Sequence, residues 1–231
     1  MTGDDCGNST ISQRLDPSSH SIGPGGNRIG ICRSAMRRIL AISGSLRAAS
    51  SNTILINAAA ALAPENLKII VYGGLANLPH FNPDLDNDAP EAVRDFRSQL
   101  DKSAGVIISS PEYAHGVPGA LKNALDWLVA SGELYDKPVA LFSASPRATF
   151  AQASLTVTLS VMSVRLIEEA SIMVPLLGKK VDEPGLIADP SMSHAIRSAL
   201  VAFEHVICLV EPNRGAYVDD HCTDHWAETG S

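Results

Sequence analysis

Paired cysteines are missing from this chain. Its four cysteines, Cys6, Cys32, Cys208 and Cys222, are scattered and form no C-x-x-C, so neither a zinc ribbon nor a dithiol redox motif is in view. That usage suits a reducing, cytoplasmic setting and a fold without a disulfide framework. Long apolar runs are missing too. None approaches the ~20 residues that cross a bilayer, and the N-terminus lacks the charged-then-apolar pattern of a secretory signal. Positive charge is scarce: 18 Lys and Arg stand against 25 Asp and Glu, a net charge of −7, which argues against nucleic acid or an anionic membrane as the main partner. Metal-ligand spacing is also absent. His80 with Asp84 and Asp86 fits no zinc or EF-hand pattern. His221, Cys222 and His225 stand on an acidic tail, where only adventitious binding is expected. No Ser-His-Asp set has motif support, so no metal ligand and no catalytic acid, base or nucleophile is assigned.

What is present falls into three parts. Residues 1–35, including "SSHSIGPGGNRIG", are rich in Gly, Ser, Asn and Pro and show no apolar periodicity. Such a segment buries too little surface to offset its ordering entropy and is expected to be a disordered extension. A strand begins at once in "MRRILAISGSLR", which makes Met36 a candidate natural start. From residue 211 onward five acids stand against one arginine. That tail is expected to be mobile, and the rest of the chain then carries only about −3.

Between these ends, 36–210 alternates short apolar runs with helical patterns. Strands are expected at 38–43, 67–71, 105–109 and 138–142, with a weaker one at 170–174. Helices are expected at 51–62, 90–100, 118–130, 148–162 and 190–210. Leu121, Leu125 and Leu128 share one face of the third helix, and Ile196, Leu200, Phe203 and Ile207 share one face of the last. The strands are continuous apolar runs, as in a parallel sheet covered on both faces. The expected fold is α/β: a three-layer, doubly wound, parallel five-stranded sheet of flavodoxin-like order.

Three of these strands end in serine-rich turns: Ser43-Gly44-Ser45, Ser109-Ser110-Pro111 and Ser143-Ala144-Ser145. In an open α/β sheet, ligands bind outside the carboxyl ends of the strands. The first turn, "SGSLRAASSN" (43–52), runs from strand to helix. Its hydroxyls, the Asn52 amide, the Arg47 fork and the N–H groups opening the next helix together make a phosphate cradle. It has neither the Gly-Lys-Ser/Thr of a Walker loop nor a G-x-G-x-x-G pattern, so one terminal phosphate fits better than a pyrophosphate. The plainer alternative is Ser50 as a helix N-cap and Arg47 as a surface charge.

"GSLRAASSN" (44–52) together with "PEYAHGVPGALKNALDW" (111–127) resembles the NADPH-dependent FMN reductase family, which includes chromate, quinone and azo-dye reductases. The resemblance spans roughly 37–175. It implies a subunit that holds FMN non-covalently at the carboxyl edge of the sheet. Ser45, Arg47, Ser50, Ser51 and Asn52 would hold the phosphate. Pro111, Glu112, Tyr113 and Ala114, with His115 and Gly116, would line one side of the flavin ring. The turn carrying Ser143 and Ser145 would approach its other edge. NADPH or NADH would donate hydride and a small acceptor would receive it: a quinone, free flavin, an azo compound or a metal oxyanion. A homodimer or homotetramer is implied as well.

Two departures from the family pattern stand out. Ala114 replaces an asparagine of many relatives, and "SASPRATFAQ" (143–152) replaces a glycine pair. The turn at 111–118 is suited to a flat, uncharged heteroaromatic ring. Pro111 fixes φ and restricts Ser110. Backbone N–H groups of 112–115 donate without titrating, and Pro118 launches the next helix. Tyr113 is either a rim aromatic for the flavin or a half-exposed loop residue. Glu112 and His115 stay open between flavin contact, subunit contact and solvent. The alternative to an enzyme is a flavodoxin-type single-electron carrier.

Overall fold

The sheet is built by strands whose successive side chains feed two different helical layers. The computed structural model describes residues 36–215 except 177, 179 and 180. The expected extension at 1–35 and most of the expected tail lie outside those residues. β1 (Arg37–Ser43), β2 (Leu67–Val71), β3 (Gly105–Ser109) and β4 (Pro138–Ser143) are parallel and lie in the order β2-β1-β3-β4. Ile39, Ala41, Ile107, Ala140 and Phe142 face one layer, while Leu40, Ile42, Val106, Ile108 and Leu141 face the other. Every residue of β3 and β4 is buried, which is why these strands read as unbroken apolar runs.

The fifth strand is where the sequence reading needs correction. Its place beside β4 is filled by two fragments, β5 (Arg165–Leu166) and β6 (Ile172–Met173). β5 pairs with Pro138 and Val139, and β6 with Phe142 and Ser143. Between them the ladder is bridged by a side chain: the Leu141 N–H donates to Ser171 Oγ at 3.0 Å. The strand order remains 2-1-3-4-5, with crossover helices on both faces, so the doubly wound flavodoxin-like expectation holds.

α1 (Ser51–Ala61), α5 (Glu183–Ala188) and α6 (Pro190–Gly215) cover one face. α2 (Glu91–Asp101), α3 (Gly119–Asp126) and α4 (Thr149–Val161) cover the other. α3 stops four residues before its expected end. Trp127, fully buried, terminates it and donates through Nε1 to the Pro79 carbonyl at 2.8 Å. Asn123 binds the same carbonyl and receives the Phe81 N–H, so the loop before α2 is tied to α3. α6 continues five residues past its expected end. Its Pro190–Val210 stretch is long and apolar enough to cross a membrane by length and composition, which corrects the expectation that no segment reaches that length. Ile196, Leu200, Phe203 and Ile207 are fully buried against the sheet, and that is the arrangement of a core helix. Cys208 on α6 is half-buried.

Candidate functional site

The ends of β1, β3 and β4 are drawn together at the carboxyl edge by one close approach. The Gly44 N–H donates to the Ser109 carbonyl at 2.8 Å. A Cβ on Gly44 would lie 2.9 Å from Leu121 Cδ2 and 3.3 Å from Ser110 Oγ. Only glycine lets the first turn close on the second.

Beyond Gly44 the chain folds on itself before α1 begins. Ser43 Oγ accepts the Ser45 N–H (3.3 Å), and Ser45 Oγ accepts the Arg47 N–H (3.3 Å). Ser50 Oγ accepts the Thr53 N–H at 3.1 Å and so caps α1. Thr53 Oγ1 lies 3.0 Å from Ser43 Oγ and 3.1 Å from Ser50 Oγ. Asn52 is buried, and its Oδ1 accepts from Ser109 Oγ at 2.9 Å, tying α1 to the end of β3. Ser50 and Asn52 therefore do structural work whatever else they touch. α1 has no acidic residue in its first turn, and the N–H groups of Ser51 and Asn52 precede any carbonyl the helix offers. The Arg47 guanidinium has no partner among the described residues.

A cleft of about 500 Å³ runs from this turn across the strand ends. One wall is Ser45, Arg47 and the 49–52 segment. The floor is Ser110 and Pro111, beside Glu112 and Tyr113. The far wall is Ala144, Ser145, Arg147 and Ala148. Of the expected site residues, Ser45, Arg47, Ser50, Ser51, Asn52, Pro111, Glu112, Tyr113 and Ser145 line it. Ala114, His115, Gly116 and Ser143 do not. Ser143 is buried, and its Oγ accepts the Ser145 N–H.

Tyr113 and Gly116 exchange hydrogen bonds in both directions, at 3.1 and 3.0 Å. That turn holds Ala114 at φ 49° and His115 at φ 60°, the left-handed region that favours glycine or asparagine. The expectation that all N–H groups of 112–115 face a ligand is corrected here, because the Tyr113 N–H is spent within the turn. Glu112 is committed as well. Its Oε2 accepts the Ala151 N–H at 2.9 Å, its Oε1 lies 3.2 Å from His115 Nδ1, and the His115 ring meets the Phe150 ring edge-on at 4.6 Å. The carboxylate thus caps α4, which has no side-chain cap of its own. The Ala151 N–H, with His115 adding to it, holds the Glu112 carboxyl below the usual carboxylate range against the opposing effect of burial. Ser110, Ala49, Ala144 and Ala148 line the cleft without having been assigned as site residues. Ser110, Ala49 and Ala144 lie inside the marked turns and Ala148 just beyond the third, and their small size is the signal.

The residues fit a mononucleotide. An uncommitted guanidinium and an acid-free helix start face a cleft of ligand size. A family model described as NADPH-dependent FMN reductase matches residues 37–176. The chain belongs to the NADPH-dependent FMN reductase family. With that membership come the oxidoreductase class and the cofactor pair, FMN with NAD(P)H.

Relatives of this FMN reductase family member include a probable NADPH:quinone oxidoreductase of rice (Oryza sativa subsp. japonica), 32% identical over 72% of this chain and 87% of that protein. A 2-hydroxy-1,4-benzoquinone reductase of Burkholderia sp is 41% identical over 39% of this chain, and the match spans 49% of that protein. The flavoenzyme NAD(P)H:(acceptor) oxidoreductase FerB from Paracoccus denitrificans superposes with a TM-score of 0.67 at 28% identity, over 74% of this chain and 97% of that one.

Two outcomes test this geometry. Ala114→Asn relieves a left-handed alanine and should raise unfolding stability by about 0.5–1 kcal/mol in denaturant titration; a loss of stability would contradict the strain. Glu112→Gln should lower the melting temperature above about pH 5, where the parent carboxylate is charged in both states. The gap should close as pH falls through the lowered carboxyl value, because a depressed carboxyl loses its contribution on protonation. A gap independent of pH would remove the charge from the cap.

Proposed function

We propose that the cleft binds FMN with its phosphate in the β1–α1 turn and its ring system between Tyr113 and the β4–α4 turn, and that electrons pass from NAD(P)H to a quinone or similar small acceptor. One observation carries the placement: the β1–α1 turn is already folded through Ser43, Ser45, Ser50 and Thr53, with Arg47 uncommitted beside an acid-free helix start. Bound FMN supplies two-electron hydride chemistry, which no side chain here offers. The protein's part is binding and orientation. Arg47 and the start of α1 neutralise the phosphate. Pro111 and the reciprocal Tyr113–Gly116 bonds fix one wall, so the ring's position is set before ligand arrives. The Glu112 N–H, at the cleft's edge, donates to the ring without titrating. Tyr113, 52% exposed, offers an aromatic face at the mouth, where a nicotinamide or quinone ring would stack. The quinone assignment draws on the rice and Burkholderia relatives.

A homo-oligomer belongs to this reading. α4 carries no charged residue, and Phe150, Val157 and Val161 on it are exposed; a second copy of the chain would cover such a face. Light scattering that finds a monomer would sink this part. A cytoplasmic setting is also proposed, on the scattered cysteines.

The FMN-loaded protein should oxidise NADPH or NADH with a quinone present. No turnover with any quinone would overturn the function. Arg47→Ala should weaken FMN retention by ~1.5–3 kcal/mol, the range for a charged hydrogen bond. Retention equal to the parent would remove Arg47 from the phosphate site.

A further inference from the structure

The turn after β4 repeats the turn after β1. "SGSLRA" (43–48) and "SASPRA" (143–148) share the pattern Ser-x-Ser-x-Arg-Ala. They also share their bonds. Ser145 N–H donates to Ser143 Oγ at 3.4 Å and Arg147 N–H to Ser145 Oγ at 3.2 Å, matching 3.3 and 3.3 Å in the first turn. Both arginines line the one cleft, and neither guanidinium has a partner among the described residues. FMN brings a single phosphate, so the second cation is left without one.

The helices behind the two turns differ. The start of α1 is open, whereas the start of α4 already holds the Glu112 carboxylate. The positive end of α4 is thereby met from within, and Arg147 is the uncompensated cation on that wall. β1 and β4 stand on either side of β3, about 10 Å apart at roughly 4.8 Å per strand spacing. That separation is comparable to the reach of a ribityl chain. With the phosphate at Arg47, Arg147 stands at the ring end.

We propose that Arg147 sets the redox balance of bound FMN, favouring the reduced form, which carries more negative charge on the ring. This inference rests on the FMN placement above. A fixed cation beside a ring that gains negative charge on reduction binds the reduced state more tightly than the oxidised one, and a neutral residue in its place lacks that preference. The guanidinium is exposed, so the effect is moderated by solvent.

The test is the midpoint potential of FMN on the whole protein, read by spectroelectrochemical titration in the parent, Arg147→Ala and Arg147→Lys. The alanine variant should hold oxidised FMN as the parent does and lose three- to tenfold of its preference for reduced FMN, a potential lower by up to about 30 mV for a two-electron couple. Lysine should restore most of it. An unchanged potential in Arg147→Ala overturns the proposal. So does a rise in the KM for NADPH alone, at constant potential, because Arg147 would then be serving the nucleotide's 2′-phosphate. A parent protein that binds no FMN sinks the placement and this inference together, which separates that failure from one confined to Arg147.

Discussion

A missing Cβ is the constraint on which the site depends. The β1 and β3 turns meet where the Gly44 N–H reaches the Ser109 carbonyl, with Leu121 and Ser110 packed against the bare Cα. A side chain there would crowd Leu121, which is fully buried, and press the first turn against the second. Once the turns are locked, Asn52 can reach Ser109, and α1 starts at a fixed height above the sheet. The cleft is what remains between three strand ends held at that spacing.

The same edge shows how one local design can serve two ends. Two Ser-x-Ser-x-Arg-Ala turns present the same hydroxyl pattern and the same cation, yet the helix behind one is open and the helix behind the other is closed by Glu112. An internal carboxylate on α4 leaves α1 as the better seat for an external anion. It also joins the wall carrying Tyr113 to the wall carrying Arg147, so the width of the cleft is set by a bond within the protein. His115, the residue most suggestive of acid–base chemistry in the sequence, belongs to that brace: it lies against Glu112 and Phe150 and does not line the cleft.

Much of the fold was legible because buried parallel strands have no solvent side to encode. β1, β3 and β4 stand out as apolar runs closed by serine turns, β2 as a short apolar run before Tyr72-Gly73-Gly74, and the strand order follows from the crossover pattern. The fifth strand was obscure because "RLIEEASIM" (165–173) breaks its apolar run with two glutamates, and a serine side chain replaces a ladder bond there. The end of α3 was missed because Leu128 keeps the apolar period after the helical i→i−4 bonds have given way to i→i−3 turns at Leu128 and Val129. At the site, the residue types were visible and their commitments were not. Thr53 joins three groups of the first turn without belonging to any motif, and no local pattern shows that the Glu112 carboxylate turns toward α4, 39 residues ahead.

The account turns on the first turn being a phosphate seat. Equilibrium binding of FMN and of riboflavin to the purified chain, followed by flavin fluorescence, separates the seat from the ring contacts, since the two ligands differ only in the phosphate. FMN should bind at least tenfold more tightly than riboflavin, as charged hydrogen bonds to Arg47 and the α1 N–H groups require. Equal affinities would contradict the assignment.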